Sequence, residues 1–281
     1  MSTVKTLKET APAKDRNSRD SGIQLIARAA QILRALGDST GLSLAGIAEN
    51  VGLARSTVHR IVLALEAERL VSCNGPGQYR LGPEILHLAE ACKLDLFRDV
   101  HPYIVRLSRE LDETVDLSVR AGHLVTVVDQ AIAMRRLRVE AALGRSFPLY
   151  CTASGKAILA ALPDEMGQAL ISGPLETFTS KTVASRAELQ KQIAEVRRVG
   201  VAYDIEELSV GLCAIGSCLN LGNGDVIAVS VPVPAGRFYG QEDHFARTLS
   251  RFLTEIANSF PTVTRVFPDY ATVASGRLES Q

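Results

Sequence analysis

The chain has 281 residues, of which 46% are hydrophobic, and its formal net charge is zero. This length favours two domains, and the five scattered cysteines, odd in number and without a C-x-x-C motif, argue against a disulfide framework or a zinc site. No apolar run is as long as a transmembrane helix and no apolar signal core follows the basic N-terminus, so we expect a cytoplasmic protein without metal or cofactor.

The charges are unevenly distributed along the chain. Residues 1–82 carry a net charge of +4, whereas the remaining residues carry −4. An excess of positive charge in one part of a chain favours contact with the phosphates of nucleic acid.

The N-terminal region is polar and charged without periodicity, which predicts a disordered tail over residues 1–21. Apolar residues then recur at helical spacing over residues 23–36, and Gly37 follows as a stop signal. We expect this helix to open a domain that covers residues 22–83.

A pair of short helices is predicted next. Ser43 is suited to cap the first helix and Gly52 is suited to end it. The second helix covers residues 55–68, and its core-facing stripe consists of Val58, Ile61, Val62 and Leu65. Only about three residues separate the two helices, which is the spacing of a helix-turn-helix.

A β-hairpin is predicted after the second helix. Residues 70–72 and 79–81 flank the sequence Asn-Gly-Pro-Gly at positions 74–77, a typical turn composition. Two helices, a tight turn and a hairpin in this order predict a winged helix-turn-helix over residues 22–83.

The second helix turns a short, polar and basic face away from the core. Such a face fits the major groove, where Arg binds guanine and Ser or Thr binds base edges or phosphates. We expect Arg60 and Ser56 to contact base edges. The expected contacts to the backbone or to neighbouring bases are Arg55, Thr57, His59, Gln78 and Arg80. The alternative is a small helical subdomain with a solvated polar face.

A linker helix is predicted where the hairpin ends at Gly82 and Pro83. Residues 84–96 show a helical apolar stripe, so we assign residues 84–98 to this linker. Its stripe is expected to dock on the second domain or to pair with the same helix of a dimer partner. We expect this helix to carry a signal between the domains.

The remaining sequence predicts an antiparallel α+β domain over residues 99–262, followed by a C-terminal tail at 263–281. The predicted helices are 100–112, 153–162, 186–198 and 241–260, and the predicted strands are 115–119, 124–128, 137–139, 201–206, 214–221 and 226–231. Asn223 and Gly224 form a hairpin turn signal. Strands joined mostly by hairpins, with helices at the ends, imply this fold class.

Five segments are similar to those of a known family: GLARSTVHRIVLALEAERLV at 52–71, YRLG at 79–82, ETVDLSV at 113–119, FPLYCTASGKAILA at 147–160 and VRRVGVAYDIEELSVGL at 196–212. In this order they resemble the IclR family of bacterial transcriptional regulators, from residue 22 to residue 260. The resemblance implies a winged-helix DNA reader, a linker helix and a GAF-like effector-binding domain. It also implies a homodimer or a dimer of dimers on palindromic double-stranded DNA. The implied effector is a small molecule, commonly an organic or aromatic acid.

The effector is expected near the start of the helix at residue 153. The free N–H groups of a helix N-terminus attract a carboxylate, and the resemblance places the effector there. The expected effector-binding residues are Leu137, Val139, Tyr150, Thr152, Ala153, Ser154, Asp204, Ala214 and Ser230. The alternatives are an ordinary Ser/Thr helix cap and, for Lys156, an ion pair with Glu206 or Glu207.

The sequence departs from the family pattern at two positions. Ala214 stands where relatives often have Cys or Ser, and Cys213, one position early, should point to the opposite face of its strand. Ser230 is kept, but its usual polar partner position holds Pro232. Because both changes remove polar contacts, we expect an effector larger or less polar than glyoxylate or pyruvate, such as an aromatic or alicyclic acid.

No catalytic constellation is found. The sequence around Gly155 and Lys156 lacks the phosphate-loop pattern, Ser154 lacks the flanking glycines of a hydrolase elbow, and no histidine stands at a fixed spacing from Cys151. The sequence therefore predicts a DNA-binding regulator controlled by an effector. The competing hypothesis is a ligand-binding sensor that does not read DNA.

Overall fold

The computed structural model describes residues 16–73, 75, 77–92, 95–222 and 225–278. The chain divides into two compact units, residues 1–94 and 95–281. This division falls inside the linker range predicted at 84–98. No helix in the described ranges is long and apolar enough to cross a membrane.

The first unit is a three-helix bundle with a hairpin and one further helix. Its elements are α1 (Arg16–Gly37), α2 (Leu44–Val51), α3 (Arg55–Ala67), β1 (Val71–Cys73), β2 (Tyr79–Leu81) and α4 (Glu84–Cys92). Its core is formed by Ile32, Leu36, Ile47, Val58, Ile61, Val62, Leu65 and Val71. The stripe predicted for the second helix therefore faces this core.

Local signals fix the ends of α2. The Ser43 Oγ accepts a hydrogen bond from the Gly46 N–H at 3.2 Å, which satisfies one of the free amides of the first turn. Gly52 ends the helix with φ +65°, a conformation that glycine adopts without steric cost. The predicted cap, stop and three-residue turn to α3 are confirmed.

The predicted wing is present as an antiparallel strand pair in which Val71 lies opposite Leu81. Tyr79 also exchanges backbone hydrogen bonds of 2.9 and 2.8 Å with Leu42, which ties the wing to the segment before α2. Asn74 and Pro76 of the turn signal lie outside the described residues.

The second unit is built on a seven-stranded antiparallel sheet in the order β5-β4-β3-β8-β7-β6, with β9 paired to β7. Its strands are β3 (Val115–Ala121), β4 (Leu124–Ala131), β5 (Ser146–Pro148), β6 (Ala202–Ile205), β7 (Leu212–Asn220), β8 (Val226–Pro234) and β9 (Thr264–Arg265). Its helices are α5 (Asp95–Leu111), α6 (Ala153–Ala161), α7 (Asp164–Leu170), α8 (Arg186–Val199), α9 (Ala235–Phe238), α10 (Glu242–Ser259) and α11 (Tyr270–Leu278). The predicted α+β class is confirmed.

Alternation along the central strands divides the unit into two layers. Ile227, Val229 and Val231 of β8 pack in one cluster with residues of α5 and α10. Ala228 packs in a second cluster, with residues of α6 and α8, on the other face. Because successive residues of a strand point to opposite faces, Ser230 and Pro232 lie on the α6 side.

Three expectations differ from the structure. α1 begins at Arg16, so the tail predicted over residues 1–21 extends too far, and residues 1–15 lie outside the described ranges. Residues 137–139 are not a strand, because β5 takes the place beside β4. The tail predicted over 263–281 contains β9 and α11, and Val263 and Phe267 are buried. The turn signal at Asn223 and Gly224 lies outside the described residues.

Candidate functional site

One face of α3 is available to a partner of the first unit. Arg55, Ser56, His59 and Arg60 are exposed, Thr57 is half-buried, and the opposite side of the helix is in the core. In the described part of the chain, none of these five side chains forms an ion pair or a hydrogen bond. The face is therefore polar and basic, with its donors unused.

The start of α3 adds backbone donors to this face. Ala54, the N-cap residue, offers no side-chain hydrogen bond, and the first hydrogen bond to it comes from the Thr57 N–H at 2.9 Å. The Arg55 and Ser56 amides thus have no partner within the described residues. Free amides at a helix N-terminus form a site for phosphate. On the wing, Gln78 and Arg80 are also exposed.

A cavity of about 290 Å³ lies in the second unit, on the α6 side of the sheet. Seven of the nine predicted effector-binding residues line it: Val139, Thr152, Ala153, Ser154, Asp204, Ala214 and Ser230. Further lining residues are Asp116, Ser118, Val127, Glu140, Ala141, Ala142, Arg145, Phe147, Leu208, Ser209, Leu212 and Pro232. About half of the lining residues are apolar and the others are polar or charged, so the cavity offers both an apolar surface and groups that can fix the orientation of a ligand.

The first turn of α6 forms one wall of the cavity. The Thr152 Oγ1 accepts a hydrogen bond from the Gly155 N–H at 3.1 Å and donates one to the Pro148 carbonyl at 2.9 Å. This cap holds the helix start against the preceding segment. The Ala153 and Ser154 amides have no partner in the described ranges, so they are free to bind an anion.

Neighbouring strands form the opposite wall. In one row of the sheet Asp204 lies opposite Ala214, which lies opposite Pro232. In the next row on the same face Ser230 lies opposite Asp116. Cys213, one position before Ala214, packs in the cluster with α5 and α10, which confirms that it points away from the cavity.

Two buried carboxyl groups line the cavity. Asp204 is 2% exposed, and burial raises its pKa to about 7 although the Glu207 N–H donates a hydrogen bond to its Oδ1 at 2.7 Å. Asp116 is 7% exposed, and burial raises its pKa to about 6 despite a hydrogen bond from Gln130. Burial disfavours the ionised form of a carboxyl, so both hold a proton more tightly than an exposed aspartate does.

The charged groups on the loop over the cavity are exposed. Glu140 pairs with Arg138 at 3.1 Å, and the Arg145 guanidinium lies 5.8 Å from the centre of the Phe147 ring.

Lys156 of α6 forms a buried ion pair with Glu207 and donates a hydrogen bond to the Gln192 Oε1 at 2.8 Å. Of the alternatives that the sequence left open for Lys156, the structure has the ion pair with the acidic run, and Glu207 is the partner.

Family models match both units. The IclR helix-turn-helix domain matches residues 25–74, and the bacterial transcriptional regulator IclR C-terminal domain matches residues 89–258. The chain belongs to the IclR family. It is therefore a transcriptional regulator with an N-terminal DNA-binding domain and a C-terminal effector-binding domain, and not an enzyme.

Relatives of the IclR family resemble the chain over most of its length. The HTH-type transcriptional regulator Rv1719 of Mycobacterium tuberculosis is 48% identical over 246 residues, which cover 87% of this chain and 95% of that protein. The HTH-type transcriptional regulator TtgV of Pseudomonas putida is 42% identical over 88% of this chain and 95% of its own.

Solved structures share the fold. A putative transcriptional regulator from Rhodococcus has a TM-score of 0.71 at 26% identity and covers 85% of this chain and 98% of its own. An IclR homologue from Microbacterium hydrocarbonoxydans, solved in complex with 4-hydroxybenzoate, has a TM-score of 0.72 at 22% identity. It covers 83% of this chain and 97% of its own.

Two predicted effector-binding residues lie outside the cavity. Leu137 is 68% exposed, and its carbonyl accepts a hydrogen bond from Arg237 at 3.1 Å. Tyr150 lines a separate groove, where its hydroxyl donates to the Glu176 carbonyl at 2.8 Å. Leu137 and Val139 were both predicted to form the apolar wall; the segment that holds them is a loop, and of the two only Val139 lines the cavity.

Asp116, Arg145 and Phe147 line the cavity but were not among the predicted effector-binding residues. A signal for Asp116 existed, because it is a charged residue between two apolar residues of a predicted strand. Arg145 and Phe147 carried no comparable signal, since their place depends on the pairing of β5 with β4.

Proposed function

We propose that two copies of the chain bind a palindromic operator, each with α3 in the major groove. Arg60 and Ser56 would contact base edges, while Arg55, Thr57, His59, Gln78 and Arg80 would contact the backbone or neighbouring bases. The observation that carries this proposal is the exposed face of α3, whose side chains have no partner among the described residues. A helix-turn-helix dimer reads two half-sites about one helical turn apart.

Exposed apolar side chains of the first unit support a homodimer. Leu25 and Ile26 of α1 are exposed, and so are Leu86 and Leu88 of α4. Burial of this apolar surface against a second copy would stabilise the dimer. A dimer of dimers would need a further interface.

We propose an aromatic or alicyclic acid as the effector. Its ring would contact Val127, Phe147 and Pro232, and its carboxylate would bind the free amides of Ala153 and Ser154. The volume and the apolar wall of the cavity support this, as does the 4-hydroxybenzoate complex of the structural neighbour. Tight binding of a two- or three-carbon keto acid would contradict the proposal.

The experiment is selection of bound fragments from randomised DNA by the wild-type protein, by Arg60→Ala and by Arg34→Ala. The wild type should recover a palindrome, and Arg60→Ala should lose base preference within each half-site. Arg34, exposed in the last turn of α1, is the matched control and should keep the preference. Failure of the wild type to enrich any sequence, with and without aromatic acids, would reject the proposed DNA reading.

A further inference from the structure

Asp116 is a lining residue of the cavity that the proposed binding mode does not use. In that binding mode the effector's ring contacts the apolar residues of the wall and its carboxylate binds the start of α6. The Asp116 carboxyl has no role in either contact. A carboxyl that is 7% exposed stands on the central strand β3, between Val115 and Leu117, which are fully buried in the opposite layer. Burying a carboxyl costs free energy unless a partner compensates for it.

The protein compensates Asp116 only in part. Its Oδ1 accepts a hydrogen bond from the Gln130 Nε2 at 2.5 Å. Across the described residues, no ion pair involves this carboxyl and no donor contacts its Oδ2. Arg145, the cationic residue of the cavity lining, is exposed on the loop and lies over Phe147.

The surroundings of Asp116 form a polar corner of the cavity. Ser230 lies opposite Asp116 in the sheet, and Ser118 follows on the same face of β3. These hydroxyls can donate or accept, whereas an ionised carboxylate only accepts. The corner therefore favours a ligand group that donates a hydrogen bond and disfavours a second carboxylate.

We propose that Asp116 is a specificity-determining residue that selects effectors with a hydroxyl or amino group, which donates a hydrogen bond to its Oδ2. This inference rests on the proposed function, since it assigns the group at the far end of an aromatic acid whose carboxylate binds at α6. It predicts an aromatic acid that carries a hydroxyl or amino group at the end opposite the carboxylate, rather than one whose opposite end is apolar. A site that hydrogen-bonds a ligand hydroxyl discriminates strongly against analogues without it, because its own polar group is left unpaired.

Para-substituted benzoates test the proposal, because they keep the ring and the carboxylate constant. Binding of 4-hydroxybenzoate, 4-aminobenzoate, 4-fluorobenzoate and 4-methoxybenzoate to the full-length protein is measured by calorimetry. The first two donate a hydrogen bond at the para position and the last two do not. We expect the donors to bind the wild type about tenfold or more tightly than the non-donors.

Three variants assign the preference to a residue. Asp116→Asn keeps the shape and an oxygen for Gln130, and it should reduce the ratio of donor to non-donor affinity to about one. Glu110→Gln removes an exposed carboxyl of the same unit that pairs with Arg251 outside the cavity, and it should leave the ratio unchanged. Asp204→Asn removes the other buried carboxyl of the cavity and should reduce the ratio less than Asp116→Asn does. Because a general defect of the cavity weakens all four ligands alike, the ratio separates recognition from structural damage.

The outcomes are distinct. Equal affinities of the wild type for donors and non-donors would overturn the proposal, and this measurement does not depend on any variant being folded. Loss of the ratio in Asp204→Asn but not in Asp116→Asn would also overturn it. So would absence of binding by all four benzoates. The selection from randomised DNA tests the proposed DNA binding independently of these affinities for benzoates.

Discussion

Gly155 decides how closely α6 approaches the segment before it. A Cβ at this position would lie 2.3 Å from the Leu149 carbonyl oxygen and 2.5 Å from its Cα, distances that only backbone movement can relieve. Since Ala153 and Ser154 precede it in the same turn, the cavity wall depends on this approach. The residue is therefore as important for the site as the side chains that line it.

We predict that Gly155→Ala destabilises the effector domain by about 1–3 kcal/mol or more, because a buried methyl group is forced into occupied space. Gly167 in α7 provides a matched control, since its nearest neighbour would be 3.7 Å from a new Cβ. Gly167→Ala should be neutral or stabilising by about 0.5–1 kcal/mol. Urea unfolding of both variants gives the comparison, and equal effects would contradict the assignment.

Asp204 couples the stability of the second unit to pH. Burial is the largest cause of its raised pKa; the hydrogen bond from the Glu207 N–H and the charge of Lys156 lower that pKa, and the charge of the Glu207 side chain raises it. The ordinary value is 3.8 and the folded value about 7, so between these values the folded protein keeps a proton that the unfolded chain has lost. Unfolding then releases a proton, so stability falls as pH rises through this window and levels off above it.

We predict that Asp204→Asn gains stability relative to the wild type as pH rises from 5 to 8, by about 2–3 kcal/mol. The variant keeps an acceptor for the Glu207 N–H but has no proton to lose. Unfolding free energies measured at several pH values give the difference between the two proteins, in which the contributions of the other titrating groups largely cancel. A difference that stays constant across this range would contradict the prediction.

At the scale of elements, β9 and α11 belong to the second unit through Arg265. Its guanidinium donates hydrogen bonds to the Ser250 carbonyl and the Thr254 hydroxyl, both at 2.6 Å, and to the Pro268 carbonyl at 3.0 Å. These acceptors lie on α10 and on the segment before α11. Only 16% of the Arg265 side chain is exposed, and this burial lowers its pKa.

We predict that Arg265→Ala destabilises the second unit by about 3 kcal/mol, because several acceptors lose their donor. Arg251 offers a control on α10, since its pair with Glu110 at 2.5 Å is half-exposed on both sides. Arg251→Ala should cost less than about 1 kcal/mol. Thermal unfolding of the two variants tests the contrast. A similarly small effect of both would mean that β9 and α11 contribute little.

Elements with strong local signals were predictable from the sequence. The caps of α2, the stripe of α3 and the alternation of β3 and β8 all depend on neighbours in the chain. β5 and β9 have three and two residues, and they exist because β4 and β7 offer a free edge to them. Such pairing depends on distant contacts, which local periodicity does not contain. For the same reason the local sequence at 137–139 predicts a strand, although β5 is the strand that pairs with β4.

The residues of the effector site divide in the same way, into those with a local sequence signal and those placed by distant contacts. The start of α6 carried a recognisable motif, and strand alternation placed Ala214 and Cys213 on opposite faces. The covering loop was not predictable, because its path depends on β5. Asp116 was missed for a different reason. Its face was implied by alternation, but only the arrangement of α6 above the sheet makes that face a cavity rather than a packed core.

At the scale of the whole molecule, the two proposed functions belong to parts of the chain with different charge. The +4 net charge lies in residues 1–82, where the proposed DNA contacts are, and the buried carboxyls lie in the second unit. Cations that neutralise phosphates release counterions, so the affinity for DNA falls with salt in proportion to the number of contacts. The slope of the DNA affinity against salt concentration, both on logarithmic scales, therefore reports how many arginines contact the operator.

We predict a steep salt dependence for a palindrome and about half that slope for a single half-site. If Arg55, Arg60 and Arg80 of two copies contact phosphate or groove, about six cations act, and affinity should fall about 10³-fold between 50 and 200 mM salt. Arg80→Ala should reduce the slope by about one for each copy bound while keeping base preference. Arg247→Ala removes an exposed arginine that pairs with Asp243 at 2.6 Å in the second unit and should change nothing. Fluorescence anisotropy at several salt concentrations measures all slopes, and equal slopes for palindrome and half-site would contradict binding by two copies.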